Sequence, residues 1–134
     1  MSEFSHFAMQ EALFSVLSND VALGQAISGV FDHVPPNTAY PYVTLGDMRA
    51  NNVSSIDSVM SRMDITINVY SRSRGRKQVN DIMQQIYALL HGEEPSIVGH
   101  NVINLRYMTS DIEQERDGLT YRGRIRFEAF VQHA

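Results

Sequence analysis

The sequence predicts an α+β domain: a mainly antiparallel sheet with two helices packed on one face and a long C-terminal β-hairpin. Three observations carry this. Met63, Ile65, Ile67 and Val69 alternate with Arg62, Asp64, Thr66, Asn68 and Tyr70, the period of a half-buried strand. Val79, Ile82, Met83, Ile86, Leu89 and Leu90 form one apolar stripe at helical spacing. Two alternating runs, Ile103 to Tyr107 and Leu119 to Val131, flank the turn dipeptide Asp117-Gly118. The 134 residues fit one domain spanning 1–134. A chain of this mass buries about two-thirds of its extended surface, enough for a core without staples.

The elements follow in order. Met9, Ala12, Leu13, Val16 and Leu17 make the stripe of a first helix, with Ser5 as its N-cap. Asn19 and Asp20 interrupt, and Val21 to Ile27 reads as a short second helix closed by Gly29. Val30 to Val34 is a short extended piece. Pro35, Pro36 and Pro41 then enforce a stiff loop. Tyr42 to about Arg49 is a strand, and Asn51 to Val59 a long polar loop. The best helix runs from Ser73 to about His91, ended by Gly92 and Pro95. For the hairpin, a two-residue turn at 117–118 would set Phe127 opposite Met108 and split the apolar set between faces. A three-residue loop at 116–118 instead sets Tyr107 against Phe127, Leu105 against Ala129 and Ile103 against Val131, with Gly118 left-handed in a bulge. Two helices do not each cross over between strand pairs, so the order is not ferredoxin-like.

Composition excludes several function classes. There is no cysteine, hence no disulfide scaffold, thiolate zinc site or cysteine nucleophile. A net charge of −4 argues against a protein that coats nucleic acid. No apolar run approaches the roughly 20 residues of a spanning helix, so no membrane partner is expected. The polar N-terminus does not read as a signal peptide, which implies synthesis in the cytoplasm. The histidines, His6, His33, His91, His100 and His133, lack metal-ligand spacing. Asp32-His33 is the one conceivable catalytic pair, but neighbours on a strand point to opposite faces. No nucleotide-binding or nucleophile-elbow motif is present. The reading is therefore no catalytic residue, no metal and no cofactor.

Contact residues are the better candidates. Arg72, Arg74, Arg76 and Lys77 cluster where the long helix begins, an end that disfavours cations by about 0.3–1 kcal/mol each. They suit an anionic partner. They equally suit a solvated corner, with Lys77 pairing Asp81 one turn on. Asp111, Glu113 and Glu115 share one strand face near the hairpin tip. Arg122, Arg124 and Arg126 share the face opposite the apolar set, with Phe130 as an apolar anchor. Adjacent arginines repel unless something acidic covers them, so this face is either a docking surface or a solvated one. Arg106 facing Glu128 relieves part of the repulsion. Strands of about a dozen residues suggest a tip projecting past the core, acidic on one side and arginine-rich on the other. Such a tip suits head-to-tail contact with an identical neighbour, the contact that closes rings.

Several runs together resemble a known family. They are Asp32-His33-Val34-Pro35, Tyr40-Pro41-Tyr42-Val43-Thr44-Leu45-Gly46 and Val69-Tyr70-Ser71-Arg72-Ser73-Arg74-Gly75. The helix Val79 to Leu90 follows, then Asn104-Leu105-Arg106, Arg116-Asp117-Gly118-Leu119-Thr120 and Gly123-Arg124-Ile125-Arg126-Phe127. In this order, from about Met9 to Val131, they resemble the tail-completion (tail terminator) proteins of tailed phages, prophages and gene transfer agents. Tyr70 stands where the family more often has tryptophan, and nothing matches between Ala50 and Val59. The resemblance implies a non-enzymatic virion protein at the head–tail joint. It implies a homo-oligomeric ring, commonly of six copies, capping the head-proximal end of the tail tube. Its partners would be the tail tube protein and a head-completion (adaptor or stopper) protein, with DNA passing through without specific binding. The rivals are a head-completion or stopper protein of similar size, a nucleic-acid binder using Arg72 to Lys77, and an enzyme centred on Asp32 and His33.

Overall fold

The computed structural model describes residues 6–133 apart from 58, 96 and 98. Its elements run α1 (His6–Ser18), α2 (Val21–Ala26), β1 (Val30–Phe31), β2 (Tyr42–Asn52), β3 (Met60–Ser71), α3 (Lys77–Leu90), β4 (His100–Gln114) and β5 (Tyr121–His133). This is the predicted α+β order. The strands form one sheet in the order β1-β2-β3-β5-β4, antiparallel except where β1 joins β2 in parallel. All three helices lie on one face. The other face is uncovered.

The core is the meeting of the predicted stripes. Met9, Leu13 and Leu17 of α1, Leu23 of α2 and Val79, Ile82, Ile86 and Leu90 of α3 are buried. They pack on Met63, Ile65, Ile67 and Val69 of β3 and on Ile125, Phe127, Ala129 and Val131 of β5. Each large apolar side chain so buried contributes about 1.5–3 kcal/mol. Asp20 caps α2, its carboxylate accepting from the Leu23 N–H at 2.8 Å, a cap worth about 1 kcal/mol. Ser71, buried at the end of β3, hydrogen-bonds Gln78 and accepts from the Ser73 N–H, fixing the corner into α3.

Several expectations are corrected. The Ser5 cap lies outside the described residues. α2 ends on Ile27, which turns to extended backbone, before Gly29 is reached. β2 runs on to Asn52, shortening the polar loop to 53–59. α3 begins at Lys77 rather than Ser73, because Gly75 takes φ +80° and breaks the corner.

The hairpin departs most. Near the tip, Gln114 faces Tyr121 and Thr109 faces Arg126, the register that the three-residue loop was meant to avoid. Tyr107 does meet Phe127 and Arg106 meets Glu128, but Ile103 then meets Phe130 rather than Val131. Two irregularities in β4 absorb the difference, between Tyr107 and Thr109 and between Ile103 and Arg106. The second contains Asn104 at φ +57°. Each adds a residue to one strand and restores the facing of the apolar set. Leu105 is therefore buried, while Ile103 points to the open face. Gly118 is left-handed as expected (φ +72°), within a longer 115–120 connection.

Candidate functional site

The uncovered sheet face is built from rows of residues across β2, β3, β5 and β4. Tyr42, Tyr70, Arg122 and Glu113 make one row. Thr44, Asn68, Arg124 and Asp111 make the next, and Arg49, Asp64, Glu128 and Arg106 another. The predicted acidic and arginine sets therefore share one face rather than opposite sides. Arg122 lies 3.6 Å from both Glu113 and Glu115, and Arg124 Nε donates to Asp111 at 3.2 Å. Glu128 takes Arg106 at 3.0 Å and Arg62 at 3.8 Å. Partly exposed pairs of this kind are worth about 0–1 kcal/mol each, but together they remove the predicted self-repulsion. Arg126 stands between Thr66 and Thr109, exposed and in no ion pair among the described residues. Phe130 is half-buried between Arg62 and Ile103.

The tip does not project freely. β5 is paired with β3 from Ser71↔Tyr121 to Met60↔Gln132, so only 115–120 pass the sheet's end. The Asp117 carboxylate accepts from the N–H of Leu119 (2.8 Å), the N–H of Thr120 (2.9 Å) and the Thr120 hydroxyl (2.7 Å). These donors stabilise the anion and hold its pKa down at about 2. Arg72 ties the tip to the body, donating from Nε to Thr120 Oγ1 at 3.1 Å and lying 3.6 Å from Asp117. The same guanidinium sits 4.4 Å over the Tyr40 ring, and Tyr40, Tyr42 and Tyr70 stack at about 5 Å spacing. Burial first, then the hydrogen bond with Tyr40, pushes the Tyr42 phenol up to about 12.

The basic corner is thus largely spoken for. Arg76 lies over Tyr121 and Lys77 pairs with Asp81 at 2.8 Å, which leaves Arg74 exposed and without a partner of either kind among the described residues. Asp32 and His33 are both exposed beside β1. Beside them Pro35 borders an open depression of about 440 Å³. Among the described residues no three histidine or carboxylate side chains converge as a metal site. No helix among the described residues is long and apolar enough to cross a membrane.

Sequence reasoning missed the edges. At Leu105 and Tyr107 the outer backbone of β4 is occupied by the segment after α3. Gly92 N–H donates to Leu105 O (2.6 Å), Leu105 N–H to Glu93 O (3.3 Å) and Tyr107 N–H to His91 Nδ1 (3.0 Å). His91 thus blunts an edge strand, a role its distance in sequence conceals. Exposed apolar residues also went unremarked: Phe7, Phe14 and Val21 along the first two helices, and Val53, Ile56 and Val59 in the loop. The seven-residue spacing of the first three was the available signal.

The family model described as tail completion protein gp17 matches residues 11–132. Among solved structures, a chain of the "Virion of native gene transfer agent (GTA) particle" shares this fold with a TM-score of 0.89. It is 22% identical, and the match covers 98% of this chain and 99% of that one. No curated protein matches.

Proposed function

The chain belongs to the tail completion protein gp17 family, and from that premise we propose that it closes the tail of a phage-like particle as a ring. Copies of the chain sit on the head-proximal end of the tail tube, stop further addition of tube protein and offer the upper surface to the head-completion protein. The family match over 11–132 carries this reading. The similar chain in a gene transfer agent virion supports placing it in such a particle, and the head–tail joint is the position this reading assigns to it there. A hexamer is the expected ring. In this reading the chain acts by binding alone, with its charged clusters holding the hairpin and the basic corner in place.

Among the predicted contact residues, Arg74 and Arg126 have no ion pair among the described residues and are proposed to meet neighbours on the open surfaces, with Phe130 beside Ile103 as the apolar element. Arg72, Arg76 and Lys77, and Asp111, Glu113, Glu115, Arg122 and Arg124, serve through the shape they give the tip and the open face. This also weighs against the nucleic-acid reading, since three of its four cations have partners within the chain.

Deleting the gene tests the proposal in producing cells. The expected particles are filled heads without tails, beside tail tubes of uncontrolled length, both visible by electron microscopy. Tubes of normal length joined to heads would overturn it. Tubes of normal length left unjoined would instead favour the stopper reading.

A further inference from the structure

The two outer edges of the sheet are each covered over a short stretch, and stretches left open on them are complementary. At the β4 edge, the segment 91–93 occupies the outer backbone of Leu105 and Tyr107. At the β2 edge, β1 covers only Val43 and Thr44. The open stretches are 110–114 of β4 and 48–52 of β2.

Hydrogen-bond parity shows which groups face outward there. Glu115 N–H donates to Thr120 O at 2.7 Å, so Glu115, Glu113 and Asp111 direct their backbone groups toward β5. Ser110, Ile112 and Gln114 direct theirs outward. Val53 N–H donates to Met60 O at 2.9 Å, so Val53, Asn51 and Arg49 face β3, while Met48, Ala50 and Asn52 face outward. Among the described residues nothing accepts from or donates to these outward backbone groups. Each edge thus offers a regular five-residue stretch of unpaired backbone, which is a template for another strand. Nor does a helix block the β4 edge: beside Ser110 lies an open groove of about 270 Å³ lined by Met83, Tyr87 and Tyr107.

We propose that the occupant of each edge is a second copy of this chain. β2 residues 48–52 of one copy pair antiparallel with β4 residues 110–114 of the next, giving a sheet continuous across subunits. This rests on the ring reading above and supplies its contact. Strand direction fits, because β2 and β4 run oppositely in the sheet order β1-β2-β3-β5-β4. Facing fits as well. The outward residues on both edges are those whose side chains lie on the helix side, so the pairing keeps every helix layer on one side of the joined sheet.

Side chains select the register Met48↔Gln114, Ala50↔Ile112 and Asn52↔Ser110. Ala50 and Ile112 are half-buried and pack against the core, so each extends the other's apolar surface. On the open face Arg49, which has no ion pair among the described residues, then lies opposite Glu113, and Asn51 opposite Asp111. A flush alignment fails, because β1 would meet the open half of β4 and segment 91–93 the open half of β2. Within one chain Arg49 shares its row with Arg106, whereas across the contact it faces Glu113. Successive copies are therefore staggered by about seven residues, roughly 23 Å. Such a stagger tilts the strands against the ring axis, as closing a sheet on itself requires.

The absence of cysteine gives a direct test. Asn51 and Asp111 face each other as a non-hydrogen-bonded pair, the close kind that a disulfide can bridge. The Asn51→Cys/Asp111→Cys chain is concentrated under mild oxidation, with tail tubes present and absent. It is read by non-reducing electrophoresis beside native mass spectrometry. The expected result is a ladder of covalent multimers ending at the ring, with each single variant giving no species beyond a dimer. Rings in native spectra whose double variant stays unlinked would overturn the edge pairing and leave the ring reading standing. A chain that neither multimerises nor caps tubes would overturn both. As a second measure, Arg49→Glu and Glu113→Arg should each reduce ring formation at least fivefold, and the two together should restore it.

Discussion

Gly123 is where the spacing of helix on sheet can be probed most sharply. It lies buried in β5 beneath α3, and a Cβ there would come 2.5 Å from Val79 Cγ1 and closer still to Met83 Sδ. Carbon contacts are normally about 3.5–4.0 Å, so Val79 would be about 1 Å too close. Met83 is flexible and can swing aside. Val79 is β-branched and held in one rotamer within a helix, so the helix itself must move. Overpacking of this kind costs about 1–3 kcal/mol. Replacing a strand glycine by alanine otherwise gains about 0.5–1 kcal/mol of backbone entropy. The net for Gly123→Ala is a destabilisation of about 1–2 kcal/mol, equivalent to a Tm lowered by about 4–8 °C at this chain length. Urea unfolding should show a lower midpoint with unchanged slope. In a double-mutant cycle with Val79→Ala the two changes should offset each other by about 1 kcal/mol. A Gly123→Ala chain as stable as the parent, or a cycle with no coupling, would refute the claim that the helix sits at its closest approach here.

Four further outcomes are expected. Asp117 has its folded-state pKa lowered from 3.8 to about 2, so its contribution is present above pH 4 and is lost as pH falls from 4 toward 2. Asp117→Ala should therefore lower Tm at pH 7 and make little difference at pH 2; equal melts at pH 7 would contradict the capping role. Tyr42 has its pKa raised from 10.0 to about 12, so the stability it carries is present below pH 10 and fades between 10 and 12. The phenolate absorbance titration of the folded chain should lose its last step in Tyr42→Phe, and an unchanged curve would count against the stacked site. Arg126→Glu should leave the fold within about 0.5 kcal/mol of the parent, as surface changes usually do, yet weaken tube capping. Arg124→Glu should cost more stability, because it faces Asp111 with a like charge.

The parts of the fold legible in the sequence are those in which one residue decides one face. Met63 to Val69 and Val79 to Leu90 announce their elements because burial on a single side imposes the period. The hairpin is different. Its register depends on Asn104 taking φ +57° and on an extra residue at Met108, and neither leaves a mark on apolar spacing beyond a broken alternation. The start of α3 depends in the same way on Gly75 at φ +80°, the third residue of a run that reads equally well as helix from Ser73. The arginine row was legible as a set, but its neighbours were not. Asp111 and Glu113 lie across the strand pair from Arg124 and Arg122 only in the register that whole-hairpin alternation argues against. The capping of the β4 edge by His91 joins groups 16 residues apart and depends on where α3 ends.

That pairing changes what assembly should feel like to salt. Had Arg122, Arg124 and Arg126 stood bare, docking would rest on several ion pairs formed between copies, and added salt would dissolve the ring. Within the chain, however, Arg122 and Arg124 already meet carboxylates, and those contacts exist before and after association. An edge-to-edge contact adds backbone hydrogen bonds, which are not screened, and one new charge pair, Arg49 with Glu113. Exposed charges lose most of their mutual attraction beyond a Debye length of about 10 Å at 0.1 M salt and about 3 Å at 1 M. A single exposed pair worth about 0.2–1 kcal/mol bounds the loss. Sedimentation from 0.1 to 1 M salt should therefore show each contact between copies weakened by no more than about fivefold, which is the same free energy expressed as a ratio. A fall of a hundredfold or more per contact would mean that several arginines meet acids only in the assembled state, and the open sheet face rather than its edges would then be the contact.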